Sequence, residues 1–187
     1  MELGANGPNE VVVADDNFMQ YLKENYPTYK YVSSTTKCLI NTEDVLNELH
    51  KEDYKLVCLD YNLNHHMNFL KELNPEEKQK TEFLVNAICG PGCPNRLDHY
   101  YKNSQSHLEC GRPYHMGYCT IAHKDTSFNE KKHHITYQDI CNIYEPLGFE
   151  HYKLEGRTWT DLDLILSVSN YLVKPEYRNE VIGAILR

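Results

Sequence analysis

Short apolar runs alternate with amphipathic stretches along most of this chain, and that alternation restricts the fold more than any other feature. The run Glu10-Val-Val-Val-Ala14 reads as a strand, followed by a helix from Phe18 to Tyr26 that Pro27 stops. A second strand, Tyr29-Lys-Tyr-Val-Ser33, precedes a helix from Glu43 to about Lys51, with Thr42 as its expected cap. Lys55-Leu-Val-Cys-Leu-Asp60 and Glu82-Phe-Leu-Val-Asn86 read as strands three and four, with a short helix near Met67 to Leu73 between them. Thr136 to Leu147 is an expected helix ended by Gly148; Phe149 to Leu154 is a fifth strand, and Asp161 to Val173 a last clear helix. Strands that alternate with helices pair in parallel, because each crossover returns the chain to the same sheet edge. A (β/α)₈ barrel takes about 250 residues, and 187 residues supply roughly five of its eight units. The expected fold is therefore α/β, a single domain over 1–187 forming a partial (β/α), TIM-like barrel or an open sheet.

From Pro94 to about Thr126 the periodicity fails while Cys, His, Tyr, Gly and Pro accumulate. A structureless stretch of that length needs something other than an apolar core to organise it, and ligand bonds to a metal would serve. The segment opens with Asn86-Ala-Ile-Cys-Gly-Pro-Gly-Cys-Pro94, directly after the fourth strand. Glycine permits the turn that brings Cys89 and Cys93 toward one centre, at the strand end where parallel α/β folds keep their chemistry. With Cys110 and Cys141 they make four thiols spaced like ligands, and Cys119 competes with Cys110 for the third place. An irregular metal-binding insertion is expected over about 89–126.

Seven cysteines cannot all pair internally, so thiols kept for burial, metal or reactivity are expected. Cys38 and Cys58 lie in or beside strands and read as packing groups. Fifteen tyrosines and ten histidines are many for this length, which drift in an AT-rich genome explains. The formal net charge of -8 argues against a surface that coats nucleic acid, although a local basic groove is compatible with it. No apolar run of about 18 residues exists to span a membrane. The first residues lack the basic and apolar regions of a signal peptide, and a cytoplasmic protein is expected.

Five stretches stand in order along the chain: Val32-Ser-Ser-Thr-Thr36 with Asn41, the strand from Glu82 to Cys89, Gly92-Cys93, Asp139-Ile-Cys141 and Lys153-Leu-Glu-Gly-Arg157. The last resembles the Lys-Ile-Glu-Gly-Arg signature of the collagenase-like peptidase family, and the other four resemble further elements of that family. The family includes iron–sulfur hydroxylases acting on RNA and on ubiquinone precursors. The resemblance runs from about Glu10 to Arg178. It implies a [4Fe–4S] cluster on Cys89, Cys93, Cys141 and either Cys110 or Cys119. It also implies a redox or hydroxylase reaction on RNA or a small aromatic substrate. The family's N-terminal barrel strands have no counterpart here, the Cys89–Cys93 gap is shorter than its usual first spacing, and Asn86 stands where it has His.

Thiolates are soft ligands that suit iron–sulfur clusters and zinc alike. A Zn²⁺ site would draw on Cys89, Cys93, Cys110 or Cys119, with His99, His107 or His115. Glu155, Arg157 and Asn86 end strands and are the candidate catalytic, substrate-positioning residues, Arg157 being suited to a bidentate anion contact. Asp15, Asp60 and Asn62 also end strands and read individually as turn or cap residues. Arg96 and His99, beside Tyr100 and Tyr101, read as ordinary surface and packing groups, with the lining of a pocket beside the cluster as the alternative, and His65-His66 and His133-His134 read as solvated loop residues. No glycine-rich phosphate loop, serine elbow or His-Glu-x-x-His motif is present, so a serine or zinc peptidase mechanism is not expected. A second possibility is a non-catalytic zinc- or cluster-binding module. Its open sheet edge would be covered in a homodimer or by a separate N-terminal barrel partner.

Overall fold

The computed structural model describes residues 9–109, 132–156 and 160–186. Five strands, β1 Glu10–Val13, β2 Lys30–Ser33, β3 Tyr54–Leu59, β4 Thr81–Leu84 and β5 His151–Lys153, form one sheet in sequence order. Every pair is parallel. The α/β class and the strand count therefore agree with the pattern in the sequence. Among the described residues β1 and β5 each pair with one neighbour only, so these five strands are not closed into a barrel.

Local chemistry accounts for the helices between them. Helix α1, Asp16–Asn25, starts where the Asp15 carboxylate accepts the Phe18 N–H at 2.7 Å. Helix α2, Thr42–Leu49, is capped one residue earlier than expected, by Asn41 on the Glu43 N–H at 2.9 Å. It buries Val45 and Leu49 against the sheet. Helices α3, Met67–Glu72, and α4, Pro75–Lys80, lead into β4. The sequence pattern did not indicate α4, which has no apolar stripe; a reciprocal Asn74–Glu77 capping box and Pro75 in its first turn define it.

Helix α5, Arg96–Leu108, occupies the stretch where periodicity fails, and there the structure corrects the expectation of irregularity. Leu97 and Leu108 are exposed on it, and Arg96 is its one buried residue. An amphipathic pattern could not reveal a helix that docks through a guanidinium. The expected helix from Thr136 begins as α6, Tyr137–Asp139, and continues as a π-turn over Ile140–Tyr144. Helix α7, Asp161–Leu172, is followed by a 3₁₀ turn at Pro175–Tyr177 and by helix α8, Arg178–Ile185. No helix of the described residues is long and apolar enough to cross a membrane.

Alternation along the strands sends successive side chains to opposite faces. Val57, Leu59, Phe83 and Val85 enter the main core with Leu70, Ile135, Tyr144 and Phe149. Cys58 and Leu84 face the other way, into a smaller cluster with Tyr61 and Ala87. Cys89 packs against that second cluster. The cysteine loop thus sits on the less populated face of the sheet, at the C-terminal ends of its strands.

Candidate functional site

Four connections hold the Cys89–Cys93 loop. Two steps before Cys89, the Ala87 carbonyl meets the Nε2 atoms of both His133 and His134 at 2.9 Å. The Glu155 carboxylate accepts the Ile88 N–H at 2.9 Å. Within the loop, Gly92 has φ +65°, a left-handed backbone that glycine adopts readily, and its N–H donates to the Asn62 Oδ1 at 2.8 Å. Past Cys93 the chain enters α5, whose first residue, Arg96, is anchored in the interior. His133 and His134, expected in solvent, are buried: they sit under the loop and act as its floor.

Asp60 governs the far side. Its Oδ1 accepts both the backbone N–H and the side-chain amide of Asn62, at 3.0 and 2.8 Å, which aims Asn62 at Gly92. Its Oδ2 takes the Arg96 guanidinium at 2.5 Å in a nearly fully buried ion pair. Arg96 also donates to the Tyr100 hydroxyl at 3.0 Å and to the Thr35 carbonyl at 2.9 Å. The guanidinium lies 4.2 Å from the Tyr61 ring centroid. Burial opposes the charge on Arg96, but Tyr100 and Asp60 overcome it and hold its pKa above the usual range. The sequence pointed to Asp60 and Asn62 as strand-end residues but not to their partner, which lies 36 positions away in an unrecognised helix.

Cys89 and Cys93 are both free and partly exposed on this loop, near enough for the charge of one to bear on the other. Burial raises the pKa of Cys89; the Tyr61 hydroxyl and Arg96 pull it down, and the neighbouring Cys93 pushes it up. Cys38, at the end of a 3₁₀ turn after β2, has φ +55° and is close enough to Cys89 to feel its charge. Cys58 is a packing residue, as its strand position implies. Cys141 lies on the π-turn, near enough to Tyr137 to raise that phenol's pKa. Among the described residues no three His, Cys, Asp or Glu side chains converge on a possible metal position, so Cys89, Cys93 and Cys141 do not form one ligand group. Cys110, Cys119, His115 and Arg157 lie outside the described residues. His99 and His107 are both carried by α5, and the His99 Nε2 is buried with no partner among the described residues.

Asn86 and Glu155 come together as the sequence suggested, but their polar groups are engaged internally. Asn86 is 1% exposed. It donates to the Glu155 carbonyl and the Ser167 hydroxyl, both at 3.0 Å, and accepts the Glu155 N–H at 2.7 Å. This clamp joins the ends of β4 and β5 to α7 and uses both amide hydrogens. Chemically, the edge offers two partly exposed soft sulfur donors on a braced loop, a buried phenol in the cluster that Cys89 packs against, and a guanidinium engaged by Asp60, Tyr100 and Thr35. No protein-family model, curated protein or solved structure matches this chain.

Proposed function

We propose that this protein holds a cysteine-ligated metal centre, an iron–sulfur cluster or a zinc ion, at the C-terminal edge of a sheet that is part of a (β/α) barrel. The observation that carries the reading is that Cys89 and Cys93 stand, both partly exposed, on one short loop braced on both sides. Preorganised sulfur donors need little rearrangement to bind a soft ion. Two thiols make half of a four-coordinate shell, and Cys110 and Cys119 are the candidates for the remainder; Cys141 is set aside because no three ligand side chains converge among the described residues. The unreversed order of five parallel strands supports the barrel reading, since doubly wound sheets switch direction at their first strand.

When bound, such a centre supplies electron transfer if it is a cluster, or Lewis acidity if it is zinc. The chain's own residues position it. Asp60 and Arg96 fix the start of α5, Asn62 and Glu155 fix the loop, and His133 and His134 support it from below. The redox or hydroxylase reaction on RNA or a small aromatic substrate rests on the family resemblance, with Arg157 as the group that would meet an anionic substrate. Asn86 and Glu155 serve as positioning residues in this scheme.

Anaerobic purification followed by metal analysis and absorption spectra tests the centre. Iron with sulfide, or zinc, should copurify with the protein. The metal should be lost in Cys89→Ser and Cys93→Ser and retained in Cys141→Ser. Metal-free protein under these conditions, or metal content indifferent to Cys89 and Cys93, would overturn the reading.

A further inference from the structure

Cys89 and Cys93 bracket Gly90-Pro91-Gly92, and the chain reverses sharply between them. Pro91 and Gly92 occupy a turn, and Gly92 has φ +65°. Proline followed by a glycine with positive φ is the pattern of a type II β-turn, whose first and fourth α-carbons lie within about 7 Å of each other. Those positions are Gly90 and Cys93, so the turn folds Cys93 back toward the residue that adjoins Cys89. The loop is tied in place around them: the Glu155 carboxylate holds the Ile88 N–H, the Asn62 side chain holds the Gly92 N–H, and Arg96 is buried. None of these ties uses a cysteine side chain. Both thiols are free and partly exposed.

We infer that Cys89 and Cys93 form a reversible disulfide, which makes this loop a redox-responsive modification site whose reaction partner is a small-molecule disulfide. In the exchange, one protein sulfur bonds to a sulfur of the small disulfide and releases its other half as a thiol. The second protein sulfur then displaces the remaining half. Two protein S–H bonds and one small-molecule S–S bond are lost; one protein S–S bond and two small-molecule S–H bonds are gained. The protein pair is oxidised and the small disulfide reduced. Closing a ring over so few residues costs little chain entropy, and a bridge open to solvent is of the labile, regulatory kind. The other described cysteines are poorer partners. Cys58 is 4% exposed within β3, and Cys38 and Cys141 belong to separate segments, after β2 and on the π-turn. The inference needs no metal centre, since two sulfurs suffice; a bridged pair withdraws both from any ion.

The test uses the full chain, reduced and freed of metal with a chelator, then equilibrated anaerobically with mixtures of reduced and oxidised glutathione and quenched with acid. Intact mass and peptide mapping read the outcome. Wild type is expected to lose the mass of two hydrogens, to map the bridge to Cys89 and Cys93, and to regain its starting mass when excess reduced glutathione is added. Cys89→Ser and Cys93→Ser should instead stop at a glutathione adduct on the surviving cysteine, while Cys141→Ser bridges like wild type. Mapping of the wild-type bridge decides the matter even where a variant fails to fold. A wild type that stays reduced at every ratio, carries glutathione adducts alone, or bridges Cys89 to a cysteine other than Cys93 would overturn the inference. Each of those results leaves the metal reading standing, because metal content is measured separately on protein never exposed to the chelator.

Discussion

Asp60 and Arg96 meet in the interior with 2.5 Å between carboxylate and guanidinium, and each is almost completely removed from solvent. The pair joins the end of β3 to the start of α5 and so closes the cysteine loop from its far side. An ion pair at this depth is sensitive to the loss of either member, because the survivor is left as an uncompensated buried charge. Asp60→Ala is expected to lower stability by about 3–5 kcal/mol, whereas Asp60→Leu with Arg96→Met should recover much of that loss. Urea unfolding of the two variants decides it; a single variant as stable as wild type would contradict the assignment.

The main core has an aromatic centre. Phe83 on β4 is fully buried, with the Phe149 ring at 4.9 Å and the Tyr144 ring at 5.0 Å, both edge-to-face. Phe83→Ala is expected to cost about 3–5 kcal/mol, and Phe83→Leu less, as measured by denaturant midpoints at constant slope.

Acid should unfold the N-terminal part of the molecule through one charge network. Lys37 bridges Asp16, Glu48 and the Tyr54 hydroxyl, and Lys51 joins the same two carboxylates. Lys37 depresses the Asp16 pKa more than any other group does, and Glu48 is also lowered, the two lysines and Ser33 outweighing its burial. A depressed carboxylate contributes stability that is present above its unfolded pKa, near 4, and is lost as pH falls through the folded value. Melting temperature should therefore fall steadily below about pH 4 in wild type. Lys37→Met should be destabilised at pH 7 and show a flatter acid limb.

Cysteine reactivity should separate by location. Burial pushes the Cys58 pKa up to about 12, so at pH 8 only about one molecule in ten thousand carries its thiolate, before access is considered. Cys89 and Cys93 are half-exposed. Alkylation with iodoacetamide, followed by peptide mass spectrometry, should label Cys89 and Cys93 well before Cys58. Bound metal should protect Cys89 and Cys93 and leave the labelling of Cys58 unchanged.

Asn86→Ala removes the clamp between β4, β5 and α7 and leaves the Glu155 backbone groups without it. A loss of about 3 kcal/mol is expected, from the buried groups left unpaired. Asn86→Asp should also destabilise, because a carboxylate cannot donate to the Glu155 carbonyl. Equal stability of either variant with wild type would remove Asn86 from its bracing role.

The strands and their parallel pairing were legible because short continuous apolar runs alternating with amphipathic stretches are a local signal. The cysteine pair was legible for the same reason: Gly92 and Cys93 stand next to a recognisable strand end. What the sequence did not disclose depends on contacts between distant segments. Nothing local distinguishes Arg96 from a surface arginine until Asp60 is seen against it. His133 and His134 read as solvated because the Ala87 carbonyl that they meet lies more than forty residues earlier, 46 and 47 positions away. Cys141 is a comparable case. Its sequence context suited a ligand, but among the described residues it joins no group of three ligand side chains.

Glu155 reaches back 67 positions to hold the Ile88 amide, while Asn86 grips the backbone of Glu155 in return. The order in which the polypeptide is synthesised therefore matters. Until the last strand has emerged and docked, the thiol-bearing turn has no fixed seat, so its final geometry is tied to completion of the sheet.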